Sequence, residues 1–131
     1  MKTELKEKNI LIIGLGVVGG SYAIALKNAG YKHVFAVNRS RGAIEKAIAA
    51  GIIEDGSTRL EDFAARADIA VIAVYPTGAE DCARTLGAVM KKGALVTDVL
   101  GIKRYYSQKI AAHLPEYLDY VPAHPMAGRE K

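Results

Sequence analysis

Two stretches of this chain hold residue types whose spacing has a chemical meaning. The first is Gly14-Leu15-Gly16-Val17-Val18-Gly19, a G-x-G-x-x-G run with a further glycine at Gly20. It follows the apolar stretch Asn9–Ile13 and precedes Tyr22, Ala25, Leu26 and Ala29, which recur at helical spacing. Between a strand and a helix, each of these glycines has a task. Gly14 permits a tight turn, Gly16 lets the backbone approach a pyrophosphate with no Cβ in the way, and Gly19 lets the helix lie close on the strand. The loop of Leu15, Val17 and Val18 then turns the unpaired N–H groups and the positive end of the helix toward the phosphates. The run predicts a dinucleotide-binding loop.

The second stretch is "HPMAGREK", His124 to Lys131. Imidazole ionises near neutral pH, so a neutral histidine can hold a substrate hydroxyl and accept its proton. His124 closes the apolar run read as the last strand, at the end where a doubly wound sheet places its site. A histidine that bonds only loop backbone satisfies the same pattern, and the residues alone leave both readings open.

The second predicted strand ends in Val37-Asn38-Arg39-Ser40. An NAD site commonly has an acidic residue about 20 positions past the loop to accept from the adenosine 2′-hydroxyl, whereas an Arg accommodates a 2′-phosphate. Here the carboxylate is absent. Arg39 can fork onto a phosphate, and Ser40 can donate from the start of the next helix. A solvated arginine beside a capping serine is the plainer alternative. The expectation is NADP, with NAD as the alternative.

These groups need a frame, and the chain spells one out. "NILIIG" (Asn9–Gly14), "HVFAV" (His33–Val37), "DIAVIAV" (Asp68–Val74), "ALVTDV" (Ala94–Val99) and "LDYVPAH" (Leu118–His124) are short apolar runs typical of strands buried on both faces. Between them lie helical segments: one closed by Gly30, one capped by Ser40 and stopped by Gly51, a short one over Leu60–Ala67, one capped by Thr77 and running to about Met90, and one over Lys103–Leu114. Strand and helix alternate, which predicts a doubly wound, mostly parallel α/β domain over residues 1–131 with at least five strands.

Composition narrows the partners. The 131 residues carry 18 Lys plus Arg against 14 Asp plus Glu, a net charge of +4 that favours anionic ligands. The positive charges are scattered and not interleaved with aromatics, which argues against nucleic acid. The head "MKTELKEKN" has no apolar run, and no segment reaches the length of a membrane span, so a cytoplasmic protein is expected. Cys82 is the only cysteine and reads as a small core residue. His33 and His113 fall at a strand start and a helix end, away from the expected site.

"GLGVVGGS" (Gly14–Ser21), "TDVLGIK" (Thr97–Lys103) and "HPMAGREK", in this order and spacing, resemble the prephenate/arogenate dehydrogenase family. The resemblance covers the nucleotide-binding half of a typical member. It implies an NAD(P)-dependent oxidative decarboxylation of prephenate or arogenate in tyrosine biosynthesis. It implies a helical C-terminal domain, expected to lie outside these residues, through which members form homodimers. His124 matches the histidine that bonds the substrate's 4-hydroxyl, and Glu130 an acidic position beside the substrate pocket. Val74, Tyr75 and Pro76 match the turn whose backbone lies along the cofactor, and Lys103 also matches. Leu100-Gly101 stands where the family usually has Gly-Ser, so Gly101 lacks a hydroxyl that would assist the histidine. A different β-hydroxyacid or imine-type dehydrogenase, or a dinucleotide-sensing module without catalysis, remains the alternative.

Overall fold

The structure is a computed structural model and describes residues 2–123. A short helix, α1 (Lys2–Lys6), leads into strand β1 (Asn9–Ile13). There follow α2 (Val17–Asn28), β2 (His33–Val37), α3 (Arg41–Ala49), β3 (Asp55–Ser57), α4 (Glu61–Ala64) and β4 (Ile69–Ile72). The remainder is α5 (Pro76–Val89), β5 (Leu95–Asp98), α6 (Arg104–Ala112) and β6 (Asp119–Val121). The six strands form one sheet in the order β3-β2-β1-β4-β5-β6, and every neighbouring pair is parallel.

The alternation of side chains along a strand divides the core into two layers. In β1, Leu11 and Ile13 face one side and pack with Phe63 and Ala64 of α4, Ala79, Ala83 and Leu86 of α5, and Ile110 of α6. Ile10 and Ile12 face the other side and pack with Ala23 of α2 and with Ile44 and Ala47 of α3. Leu11 and Ile12 are fully buried. Truncating either to alanine removes roughly 2–5 kcal/mol, the usual cost of a buried aliphatic side chain and the cavity it leaves. Both faces of the central strands are thus covered, as their unbroken apolar runs require.

Glycines terminate α2 and α3 as expected. Gly30 (φ +93°) and Gly51 (φ +72°) follow the C-caps Ala29 and Ala50 in the left-handed region. Two local expectations are corrected. The helix after β4 is not capped by Thr77: Tyr75 is its N-cap and Pro76 its first residue, so Thr77 lies inside the first turn. Proline suits that position because its φ is already helical and its missing N–H would be unpaired there anyway. The last strand stops at Val121 and does not run to His124. A sixth strand, β3, was not legible: Asp55-Gly56-Ser57 has no apolar pattern and is a strand because Phe35–Val37 offer it an edge. Its middle residue must be small, since a Cβ on Gly56 would lie 2.7 Å from the Ala36 carbonyl oxygen.

Candidate functional site

Strand order reverses direction of progress between β1 and β4, which are neighbours in the sheet although 55 residues separate Ile13 from Asp68 in sequence. The crevice above their carboxyl ends is where a doubly wound fold receives a ligand. The glycine loop stands on one side of it and the β4–α5 turn on the other.

Two of the three motif glycines, Gly14 and Gly19, sit where packing leaves no room for a side chain. Gly14 takes φ +102°, and a Cβ there would lie 2.8 Å from the Ala73 carbonyl oxygen. Its N–H donates to the Val37 carbonyl at 2.8 Å, which joins the turn to β2. A Cβ on Gly19 would lie 1.9 Å from the Gly14 carbonyl oxygen, so only glycine allows α2 to pack this closely. At Gly16 a Cβ would meet nothing within 4 Å. Protein packing therefore does not demand glycine there, and the space beside it is open. Gly16 is the N-cap of α2, makes no side-chain cap bond, and is followed by no acidic residue in the first turn. The first amides of α2, including those of Val17 and Val18, are left with the dipole's positive end for an anion.

Asn38 has a role that its position at the ribose end did not announce. Its Oδ1 accepts from the Leu15 N–H at 2.9 Å, and its Nδ2 donates to the Ser40 carbonyl at 3.3 Å. Ser40 caps α3 as expected, its Oγ accepting from the Ala43 N–H at 3.3 Å. Arg39, between them, is exposed. It lies near enough to Cys82 on α5 for its charge to bear on the thiol. Burial pushes that thiol up to about 11, the Asp81 carboxylate adds to the rise, and Arg39 opposes it. Cys82 is therefore a protonated packing residue, as its sequence position suggested.

Two large apolar side chains stand out at this rim: Val17 is 89% exposed and Tyr75 is 84% exposed. Val74 below them is half-buried and packs against the core. Pro76 supplies the first backbone unit of α5.

On the far side, β5 ends in Asp98, which the sequence reading passed over. It is the buried charged residue among those described, at 1% exposure. Its Oδ1 accepts from the N–H groups of Leu100 (3.2 Å) and Ile102 (3.4 Å). Its Oδ2 accepts from the Tyr120 hydroxyl (3.3 Å) and the Ala123 N–H (3.3 Å). Gly101, between two of these donors, takes φ +64°. That is a left-handed turn which L side chains rarely adopt, so glycine suits this loop whatever hydroxyl it forgoes. The only sequence signal for Asp98 was an acidic residue closing an apolar strand.

His124 and Glu130 lie outside the described residues. His33 and His113 are placed away from the crevice, with His33 Nδ1 2.9 Å from Glu54 and His113 Nε2 2.9 Å from Glu80. Among the described residues no three His, Cys, Asp or Glu side chains gather as a metal site, and no helix is long and apolar enough to cross a membrane.

Comparison with known proteins agrees with this geometry. Residues 22–131 match the family described as prephenate dehydrogenase, nucleotide-binding domain. The chain is 31% identical over 127 residues to a prephenate dehydrogenase of Bacillus subtilis, covering 93% of this chain and 33% of that protein. It is 27% identical to a cyclohexadienyl dehydrogenase of Zymomonas mobilis, covering 94% and 42%. The fold superposes with a TM-score of 0.82 on prephenate dehydrogenase from A. aeolicus, solved in complex with hydroxyphenyl propionate and NAD+, at 28% identity over 95% of this chain and 43% of that one. The chain thus spans about a third to under half of the length of these relatives. By its sequence and its fold, the chain belongs to the prephenate dehydrogenase family, as the nucleotide-binding domain of that family.

Proposed function

We propose that residues 1–131 form the cofactor domain of a cytoplasmic prephenate or arogenate dehydrogenase serving tyrosine biosynthesis, with NADP preferred over NAD. The observation that carries this reading is the open space at Gly16, at the positive end of α2, in a chain of this family. The residues fit a nicotinamide dinucleotide: the α2 amides would take its pyrophosphate, and Tyr75 and Val17 would offer apolar surface to its rings. When bound, that cofactor supplies a hydride acceptor.

The preference for NADP rests on Arg39 and Ser40, which follow β2 where an NAD site commonly holds a carboxylate. The family's histidine position falls on His124, which would hold the substrate's 4-hydroxyl and accept its proton as carbon dioxide leaves and the ring becomes aromatic. Glu130 would border the same pocket. A helical substrate domain, through which two copies would pair, completes the site in this reading. Gly101, which lacks the family's serine hydroxyl, is the observation that favours a second reading, a dinucleotide sensor without turnover.

The test joins residues 1–131 to the helical domain of a relative and assays prephenate and arogenate with each cofactor. Turnover of either substrate is expected, with kcat reduced roughly 10²-fold or more by His124→Asn. Dinucleotide binding without turnover of either substrate would favour the sensor.

A further inference from the structure

Asp98 presents a problem that packing does not explain. A carboxylate at 1% exposure carries a large desolvation cost, and no ion pair among the described residues includes it. Its charge is met by dipoles instead: three backbone N–H groups and the Tyr120 hydroxyl. A buried charge is a poor device for stability, and replacing it by an apolar group of similar size is often neutral or better. What these four bonds accomplish is geometric. Leu100 and Ile102 share one carboxylate oxygen, so the left-handed turn at Gly101 closes around it. The other oxygen reaches β6 and the segment beyond it, where Ala123 immediately precedes His124 in the chain. Tyr120 remains a hydrogen-bond donor across the neutral range, because burial holds its hydroxyl up at about 12. Ser107 of α6 donates to the Ile102 carbonyl and ties the same loop to the helix behind it.

We propose that Asp98 is a positioning residue for the nicotinamide half of the site, latching the loop after β5 to Ala123 beyond β6 so that the loop and the Ala123 backbone are held fixed toward the second nucleotide. This deepens the dinucleotide reading above and rests on it. The sheet supports the assignment to that half. A doubly wound sheet binds one nucleotide over each of its two halves. The adenosine side is taken by the glycine loop, Asn38 and Arg39 over β1 and β2, which leaves β4, β5 and β6 for the other nucleotide.

The experiment compares two probes on the 131-residue chain by titration calorimetry. ADP-ribose carries the adenosine and pyrophosphate without nicotinamide; NADH carries all three, and the 2′-phosphorylated forms of both serve equally. Asp98→Asn is expected to bind ADP-ribose within about two-fold of the unaltered chain and NADH about ten-fold more weakly. NADH should also shift the backbone amide signals of Leu100, Ile102 and Ala123 in the unaltered chain, and less so in the variant. Should Asp98→Asn not fold, Tyr120→Phe removes a single donor and is expected to change the same ratio about three-fold. Equal weakening of both probes would make Asp98 a general structural residue, and unchanged binding of both would leave it no positioning role; either overturns the proposal. Failure of the unaltered chain to bind either probe, in its plain and in its 2′-phosphorylated form, would instead remove the dinucleotide reading on which the proposal stands.

Discussion

The Leu15 N–H donates to Asn38 Oδ1 at 2.9 Å, and this bond ties the glycine loop to the end of the neighbouring strand. Leu15 lies between two glycines, the part of the chain with most conformational freedom to lose. Asn38 restricts that freedom before any ligand arrives. Asn38→Ala should therefore weaken NADH and NADPH alike, by roughly 5- to 10-fold for a bond worth about 1 kcal/mol. A variant that loses only one of the two cofactors would show that Asn38 reads the ribose directly.

Arg39 gives the complementary pattern. Its contact with a 2′-phosphate would be charge-assisted and worth about 1.5–3 kcal/mol, so Arg39→Ala should weaken NADPH roughly 10- to 150-fold and leave NADH almost unmoved. Fluorescence titration with both reduced cofactors measures this. An NADH preference in the unaltered chain would contradict the assignment.

Two glycines of one motif should fail in different ways. Gly16 has φ −69°, which alanine accepts, and a Cβ there touches no protein atom within 4 Å. Gly16→Ala should keep its stability within about 0.5 kcal/mol, yet bind dinucleotide at least 10-fold more weakly. Gly19→Ala must push α2 off the Gly14 carbonyl, 1.9 Å from the new Cβ, and should lose about 1–3 kcal/mol or more of stability. Urea denaturation with parallel titrations separates the two. Similar stability losses for both would show that the motif serves packing alone.

Asp68 should make the domain sensitive to acid. Burial acts to raise its carboxyl pKa, but the Lys91 ammonium at 2.7 Å and the Asn9 N–H at 2.7 Å outweigh it, and the net shift is downward. A carboxyl lowered in the fold stabilises at pH values above its unfolded pKa, near 4, and that contribution fades as pH falls through the folded value. The stability difference between the parent and Asp68→Asn should thus be full at pH 6 and shrink below about pH 4. A difference equally large at pH 3 would assign the effect to something other than this charge.

Cys82 should be inert at neutral pH. With its thiol pushed up to about 11, chiefly by burial, the nucleophilic thiolate is scarce in the folded protein. Iodoacetamide should label it slowly at pH 7.5 and rapidly in urea. Because the folded pKa is the higher one, this group's stabilising contribution is present below about pH 9 and lost as pH rises toward 11. Prompt labelling of the native chain would show that α5 opens at this point.

Much of the architecture could be read from local pattern, and the reason is physical. Apolar runs such as Asn9–Ile13 must bury both faces, Ser40 satisfies the Ala43 amide in the first turn of α3 from three residues away, and Gly30 and Gly51 take conformations that other residues avoid. The glycine loop belongs to the same class, since its spacing encodes its own geometry. Other features depend on residues distant in sequence, and only the tertiary structure decided them. Asp55-Gly56-Ser57 became a strand because Phe35–Val37 had a free edge. Asn38 found its partner 23 residues back, and Asp98 gathered donors as far away as Ala123, 25 residues on. Nothing in the neighbours of such polar residues states which distant N–H will meet them. That is determined when the sheet assembles and burial leaves each carboxylate and amide only the partners within reach.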